Sequence, residues 1–204
     1  MPSSINSPED LVNICLARVG FKGRIGSLYE GSAAAKKILD LYSQTRDEFL
    51  RSNDPDFAER TISMTLLKSA PAGGYFAAPW NPATNPAPPW AFQYVYPADS
   101  LKVRSVRPQP LFVQDFDPQP FVFSIENDNT YSPAVKAILC NVSNALLVYT
   151  AQITDLSTWE ADSLEAFAAA LGRRLAPTFA NMDAVKLEAA DEQASTTMAD
   201  EEQG

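Results

Sequence analysis

Between residues 90 and 106 the chain reads WAFQYVYPADSLKVRSV, with large apolar residues at every second position of its first half. Trp90, Phe92, Tyr94 and Tyr96 therefore share one face of an extended strand, and Ala91, Gln93 and Val95 share the other. Pro97 stops the run, and Asp99 can hold a turn through its side chain. Leu101 and Val103 then alternate with Lys102 and Arg104 in a second strand. Similar runs, punctuated by Pro and Asn/Asp, predict strands over 90–96, 100–106, 111–115, 120–125, 134–140 and 145–151. The four aromatics are expected to form the core of this β-domain, because each buries a large apolar area on a sheet face.

Helical periods flank the β pattern. Ser7 is placed as an N-cap, with Pro8 at the first helical position and Glu9 and Asp10 in the first turn. Leu11, Ile14, Cys15, Leu16 and Val19 supply a buried stripe, and Gly20 can end the helix in a left-handed conformation. A second helix is expected from near Ser32 to about Arg51, with Ala35, Ile38, Leu39, Tyr42 and Phe49 on one face. Asp54-Pro55 reads as a fresh cap that starts a shorter helix through Phe57, Ile62 and Leu66. Toward the other end, Leu164, Phe167, Ala168, Leu171 and Leu175 follow helical spacing. Acids Glu160, Asp162 and Glu165 open that stretch, Arg173 and Arg174 close it, and Pro177 ends or kinks it. Met182, Val185 and Leu187 lie on one side of a weaker amphipathic stretch. The residues from Glu188 on are acidic, without aromatics, and are expected to be a flexible tail.

Residues 69–89, SAPAGGYFAAPWNPATNPAPP, show no period of either kind and read as a long loop. Tyr75, Phe76 and Trp80 make it too aromatic for an inert linker, so it is expected to dock on another surface.

Composition narrows the chemistry. The 204 residues contain no histidine, which removes Ser-His-Asp and Cys-His catalysis and leaves only all-cysteine or all-carboxylate zinc sites. Cys15 and Cys140 lie far apart and read as small buried hydrophobes, with a disulfide between them left open. A net charge of −9 does not grip phosphates. No apolar run approaches the ~20 residues that span a bilayer, and MPSSINSPED lacks the basic-then-apolar order of a secretory signal. The length suits one domain or two small lobes.

The remaining candidates read blandly. Glu30, Asp54 and Asp56 could pair for glycoside hydrolysis but sit where helix caps are expected. Lys102, Arg104 and Arg107 fit a solvated strand face better than a phosphate site. Glu126-Asn127-Asp128-Asn129 resembles a calcium loop but lacks its twelve-residue spacing, so a hairpin turn is expected. No catalytic, cofactor or metal residue is assigned, and the chain does not read as an enzyme. An alternative function is a carbohydrate-recognition module that uses Trp80, Trp90 and the other loop aromatics. A carboxylate-dependent peptidoglycan-cleaving enzyme is a third class.

Three segments in order carry a resemblance. GSAAAKKILDLYSQTRDEFLRSNDPDFAER is an alanine-rich helix, and the 90–103 stretch reads aromatic-x-Tyr-x-Tyr-Pro-x-Asp-x-Leu-x-Val. LLVYTAQITDLSTWEADSLEAFAAALGRRLA follows, an extended Tyr-x-x-x-Ile-x-Asp leading into an aromatic and a small-residue helix. Over roughly residues 8–178 this order resembles the head-to-tail adaptor proteins of short-tailed bacteriophages, also called tail tubular protein A or tail accessory factor. Asp56 stands where that family usually has tryptophan, and the Pro-rich loop is longer than usual. The resemblance implies a homo-oligomeric ring, commonly of twelve copies, in the virion neck after assembly in the host cytoplasm. Such a ring joins the portal protein to the tail nozzle protein and lets DNA leave through its channel without specific binding or any membrane. It also implies a C-terminal segment that docks on the portal, here with Met182, Val185 and Leu187 as anchors.

The fold expected is α+β, with N- and C-terminal helices forming a bundle and an antiparallel β-domain inserted between them. The expected divisions are 1–68 helical, 69–89 loop, 90–153 β-domain, 154–187 helical packing on the first helices, and 188–204 tail.

Overall fold

The computed structural model describes residues 7–21, 23–31, 33–109 and 120–179. The strand expected at 111–115 and the portal anchors Met182, Val185 and Leu187 lie outside these residues. Among the described residues the fold is mixed α+β, with three helices and two antiparallel sheets. It divides into a helical unit, made of the described residues up to Ser52 and from Ile153, and a β unit spanning Asn53–Gln152.

In the helical unit, Ser7 caps α1 (Pro8–Arg18) by accepting from Asp10 N at 3.1 Å, so one of the free N-terminal N–H groups has a partner. Gly20, at φ +84°, turns the chain out of the helix. Helix α1 buries Leu11, Val12, Cys15 and Leu16, while Ile14 is only half-buried. Helix α2 (Ala33–Asn53) buries Ala35, Ile38, Tyr42 and Leu50 at the spacing of one helical face. Helix α3, residues 161–179, buries Phe167, Ala168, Leu171, Leu175 and Phe179. It continues past Pro177, which forfeits one backbone hydrogen bond without ending the helix.

The rings hold these helices to one core. Phe167 lies 5.5 Å from Tyr42, 5.8 Å from Phe49 and 5.3 Å from Trp159, and Phe21 meets Phe179 edge-on at 5.0 Å. The Cys15 thiol donates to the Ala168 carbonyl at 3.3 Å.

The β unit corrects the sequence reading at its start. Asp54 has φ +46° and caps no helix; the expected short helix is a 3₁₀ turn, Asp56–Ala58, followed by β1 (Glu59–Ser63) and β2 (Leu66–Ser69). Thr61 and Ile62 are β-branched and favour extended backbone, and β1 gains its hydrogen bonds from a strand far along the chain. The β unit thus begins at Asn53, well before residue 90. The further strands are β3 (Phe92–Val95), β4 (Ser100–Arg107), β5 (Phe123–Asp128), β6 (Val135–Cys140) and β7 (Leu146–Ala151). Strand β5 starts later than expected, because Phe121 forms only an isolated bridge to Val106.

The two sheets run β1-β7-β4 and β2-β3-β6-β5. Central strand β7 pairs Arg60 with Tyr149 on one edge and Val103 with Tyr149 on the other, and it is buried from Leu147 to Ala151.

Candidate docking loop and the cleft beneath it

Strand pairing sorts β3 into two chemically different faces. Phe92 and Tyr94 share one face, their rings 6.2 Å apart, with Ile138 and Cys140 opposite them in β6. Tyr94 is 2% exposed and donates to the Val142 carbonyl at 2.7 Å. Trp90 precedes the strand and Tyr96 follows it, and both are half-buried, as is Phe92. The Lys136 ammonium lies 3.8 Å from the centre of the Tyr96 ring.

The other face carries Gln93, with Lys68 of β2 and Leu139 of β6 as its neighbours in register. Lys68 is the anchor of this face, its side chain 3% exposed. Its ammonium donates to Asp128, to Thr130 Oγ1 at 2.7 Å and to the Pro82 carbonyl at 2.8 Å. Gln93 Nε2 adds a bond to the same Asp128 oxygen at 2.6 Å. The other Asp128 oxygen accepts from Thr130 N at 2.9 Å and Thr130 Oγ1 at 2.6 Å. Burial pushes the Asp128 carboxyl up, but the bonds from Lys68, Thr130 and Gln93 outweigh it and hold the group well below the ordinary carboxylate range. A buried ion pair with its donors and acceptors satisfied is the form in which such charges persist.

Lys68 also ties down the Pro-rich loop, since Pro82 belongs to it. Within the loop, the Tyr75 hydroxyl donates to the Pro86 carbonyl at 2.6 Å and the Trp90 carbonyl at 2.9 Å. Asn85 Nδ2 donates to the Ser69 carbonyl at 2.9 Å, and Asn85 N to the Asn81 carbonyl at 2.8 Å. Gly73 and Gly74, at φ +84° and +79°, make the turn before Tyr75. The three expected docking residues therefore take different parts. Tyr75 is a half-buried latch, whereas Phe76 is fully exposed and Trp80 is 49% exposed.

Beneath the loop lies a cleft of about 130 Å³, lined by Trp80 and Asn85 from the loop, Gln93 from β3 and Glu126, Asn127 and Asn129 from the β5 end. Asp128, read from sequence as part of a hairpin turn, ends β5 just before the turn at Asn129 and Thr130. The partners Lys68, Gln93 and Asp128 escape sequence reasoning because strand pairing, not spacing, assembles them. The only local signal is Asp128-Asn129-Thr130, in which the acid accepts from the backbone two residues on.

A second charged group engages the basic cluster. Asp54 accepts from Lys102 and from Thr150 Oγ1 at 2.8 Å, with Arg104 Nε 3.8 Å away. Arg104 also bonds Glu59 at 2.7 Å, the Pro55 carbonyl at 2.9 Å and Thr150 Oγ1 at 2.9 Å. Its side chain is only 15% exposed, so it braces β4 and β7 to the Asp54 turn instead of facing solvent. Arg107 donates to Ser105 Oγ at 3.1 Å. Burial pushes the Asp54 carboxyl up, and the Lys102 and Thr150 bonds pull it to a net lowering.

Other chemistry-bearing groups are bound in local structure. The Glu30 carboxylate accepts from Gly26 N at 3.2 Å and closes a turn. Cys15 and Cys140 are free and buried, and burial pushes both thiols up, Cys15 to about 11, which suppresses the nucleophilic thiolate. Among the described residues no group of three or more Cys, Asp or Glu is placed to hold a metal ion, and no helix is long and apolar enough to cross a membrane. No family model matches the sequence, and no curated protein matches it.

Proposed function

We propose that the protein is a structural head-to-tail adaptor of a tailed phage virion, one subunit of a ring that joins portal to tail nozzle and lines the DNA exit channel. The observation that supports this reading is the order of its parts: a β unit, Asn53–Gln152, inserted between the two chain segments of a helical unit. That is the order the resemblance implies, with terminal helices forming a bundle and an antiparallel β-domain inserted between them in sequence. On this reading the protein turns over no substrate and uses no cofactor. Its fully exposed loop aromatic, Phe76, serves subunit or nozzle contacts, and Met182, Val185 and Leu187 serve the portal.

The charge suits a conduit. Twelve copies at −9 each would carry on the order of −100, and a wall of that sign does not hold passing phosphates. Electron microscopy of the purified protein, alone and mixed with its portal, tests the reading: rings seated on the portal are expected, and single subunits beside bare portals would refute it. Deletion of residues 178–204 should abolish portal capture in a pull-down.

A carbohydrate-recognition module is the second reading, favoured by one observation: Trp80 stands beside a cleft rich in amides. A protein of that kind would stay one size in the presence of portal.

A further inference from the structure

The cleft beneath the loop has two unlike halves. Its floor is occupied, since Lys68 donates to Asp128, Thr130 and Pro82, and both Asp128 oxygens accept from protein donors. Its rim is open. Among the described residues the side chains of Trp80 and Asn129 make no hydrogen bond, and Glu126 accepts one, from Ser124 Oγ at 3.3 Å.

The rim therefore offers an aromatic surface, an amide and a carboxylate. The amide supplies both donors and an acceptor, which matches hydroxyl groups that do the same. An inorganic anion fits poorly, because the one cation in the lining is already committed and Glu126 adds like charge. A purely apolar ligand would strand the amide and the carboxylate on desolvation. A pyranose has what remains: one face of C–H bonds for an indole and an edge of hydroxyls for the polar groups.

We propose that this cleft binds a single pyranose unit of a neutral saccharide, with Trp80 against its C–H face and Asn129 and Glu126 on its hydroxyls. At about 130 Å³ the cleft suits one ring and not a longer chain. The proposal deepens the carbohydrate reading by giving it a site, and it is independent of ring assembly: a subunit that seats on a portal could still bind sugar, and a failure of either leaves the other standing.

The test titrates the full-length protein with D-glucose, D-galactose and N-acetyl-D-glucosamine. Tryptophan fluorescence and the side-chain amide signals of Asn129 in NMR spectra are followed together. At least one sugar should give a saturable change in the roughly millimolar range expected for one small polar ligand. Trp80→Ala, at a half-exposed position, should fold normally by circular dichroism and bind about tenfold more weakly. Val122→Ala, exposed and outside the cleft, should bind as the parent does. Asn129→Ala, an exposed change, should also weaken binding and guards against a fold defect in the first variant. No saturable response to any of the three sugars would overturn the proposal, as would undiminished binding by Trp80→Ala. A response to arginine methyl ester alone would equally overturn it, because the cleft would then be a seat for a basic side chain.

Discussion

In the helical unit the deepest point is a phenylalanine: Phe167 is fully buried, with Tyr42, Phe49 and Trp159 around it. In the β unit a comparably buried position is taken by a charge, Lys68, paired with Asp128 under a loop. The first arrangement is apolar packing, which is non-directional and tolerates small shifts. The second needs named partners at hydrogen-bond distance, and it turns from support into liability when one partner is lost. The Phe167 cluster thus depends on volume, whereas the Lys68 site depends on charge and geometry, and it is the β unit that carries the exposed loop.

The comparison breaks most visibly at Phe167. Phe167→Ala should cost the helical unit about 4 kcal/mol, the transfer loss plus the cavity left among three rings. Urea unfolding followed through Trp159, 5.3 Å away, reads that loss, and a change near zero would mean the rings are not its core.

Lys68→Met comes next, at about 3 kcal/mol, because Asp128 would stay buried without its cation. The double variant Lys68→Met with Asp128→Leu should recover much of that loss. If the two changes instead add, the pair is not a coupled unit and the contrast between the regions fails.

Acid separates the regions more gently. Asp128 and Asp54 are both held below the ordinary carboxylate range in the folded β unit, so the unfolded chain takes up protons first. Their contribution is therefore complete above about pH 4, the range of a free aspartate, and is lost as the pH falls through the lowered folded values. Among the described residues of the helical unit, Asp155 is also held low by its bonds to Ser157, but it is fully exposed. Single-tryptophan proteins retaining Trp90 or Trp159 should show the β unit responding first on acidification, and Asp128→Asn should shrink the difference. Alkali does not discriminate, since burial raises Cys15 and Tyr42 in one unit and Cys140 and Tyr94 in the other.

These contrasts also explain what was legible beforehand. Helix signals are local: Ser7, Pro8 and Gly20 bracket α1, and the Phe167 stripe repeats within a few turns, so the helices could be read from spacing alone. The period-2 aromatics likewise announced β3 and which residues share its face. Strands β1 and β2 were misread because a proline after an acid imitates a helix start, while the pairing of Ile62 with Leu147 has no local trace. The loop was visible as a loop, yet its attachment was not. Lys68, Pro82 and Asp128 meet through register and a bulge, and no window of the sequence contains all three.

The smallest test asks whether any polar contact matters in the helical unit as Lys68 does in the β unit. Ser7 Oγ accepts from Asp10 N in the first turn of α1, where the N–H groups have no helical partner. Ser7→Ala should cost about 1 kcal/mol and Ser7→Gly only a few tenths, because glycine lets water solvate the freed N–H. The loss should appear in the Trp159 unfolding curve of the single-tryptophan protein and leave amide exchange in β3 and β6 unchanged. A helix held by Leu11, Val12, Cys15 and Leu16 survives the loss of its cap, whereas a sheet face built on Lys68 cannot exchange its one cation for a methyl group. Should Ser7→Ala instead match Lys68→Met in cost, directional contacts would govern both regions and the division between them would not hold.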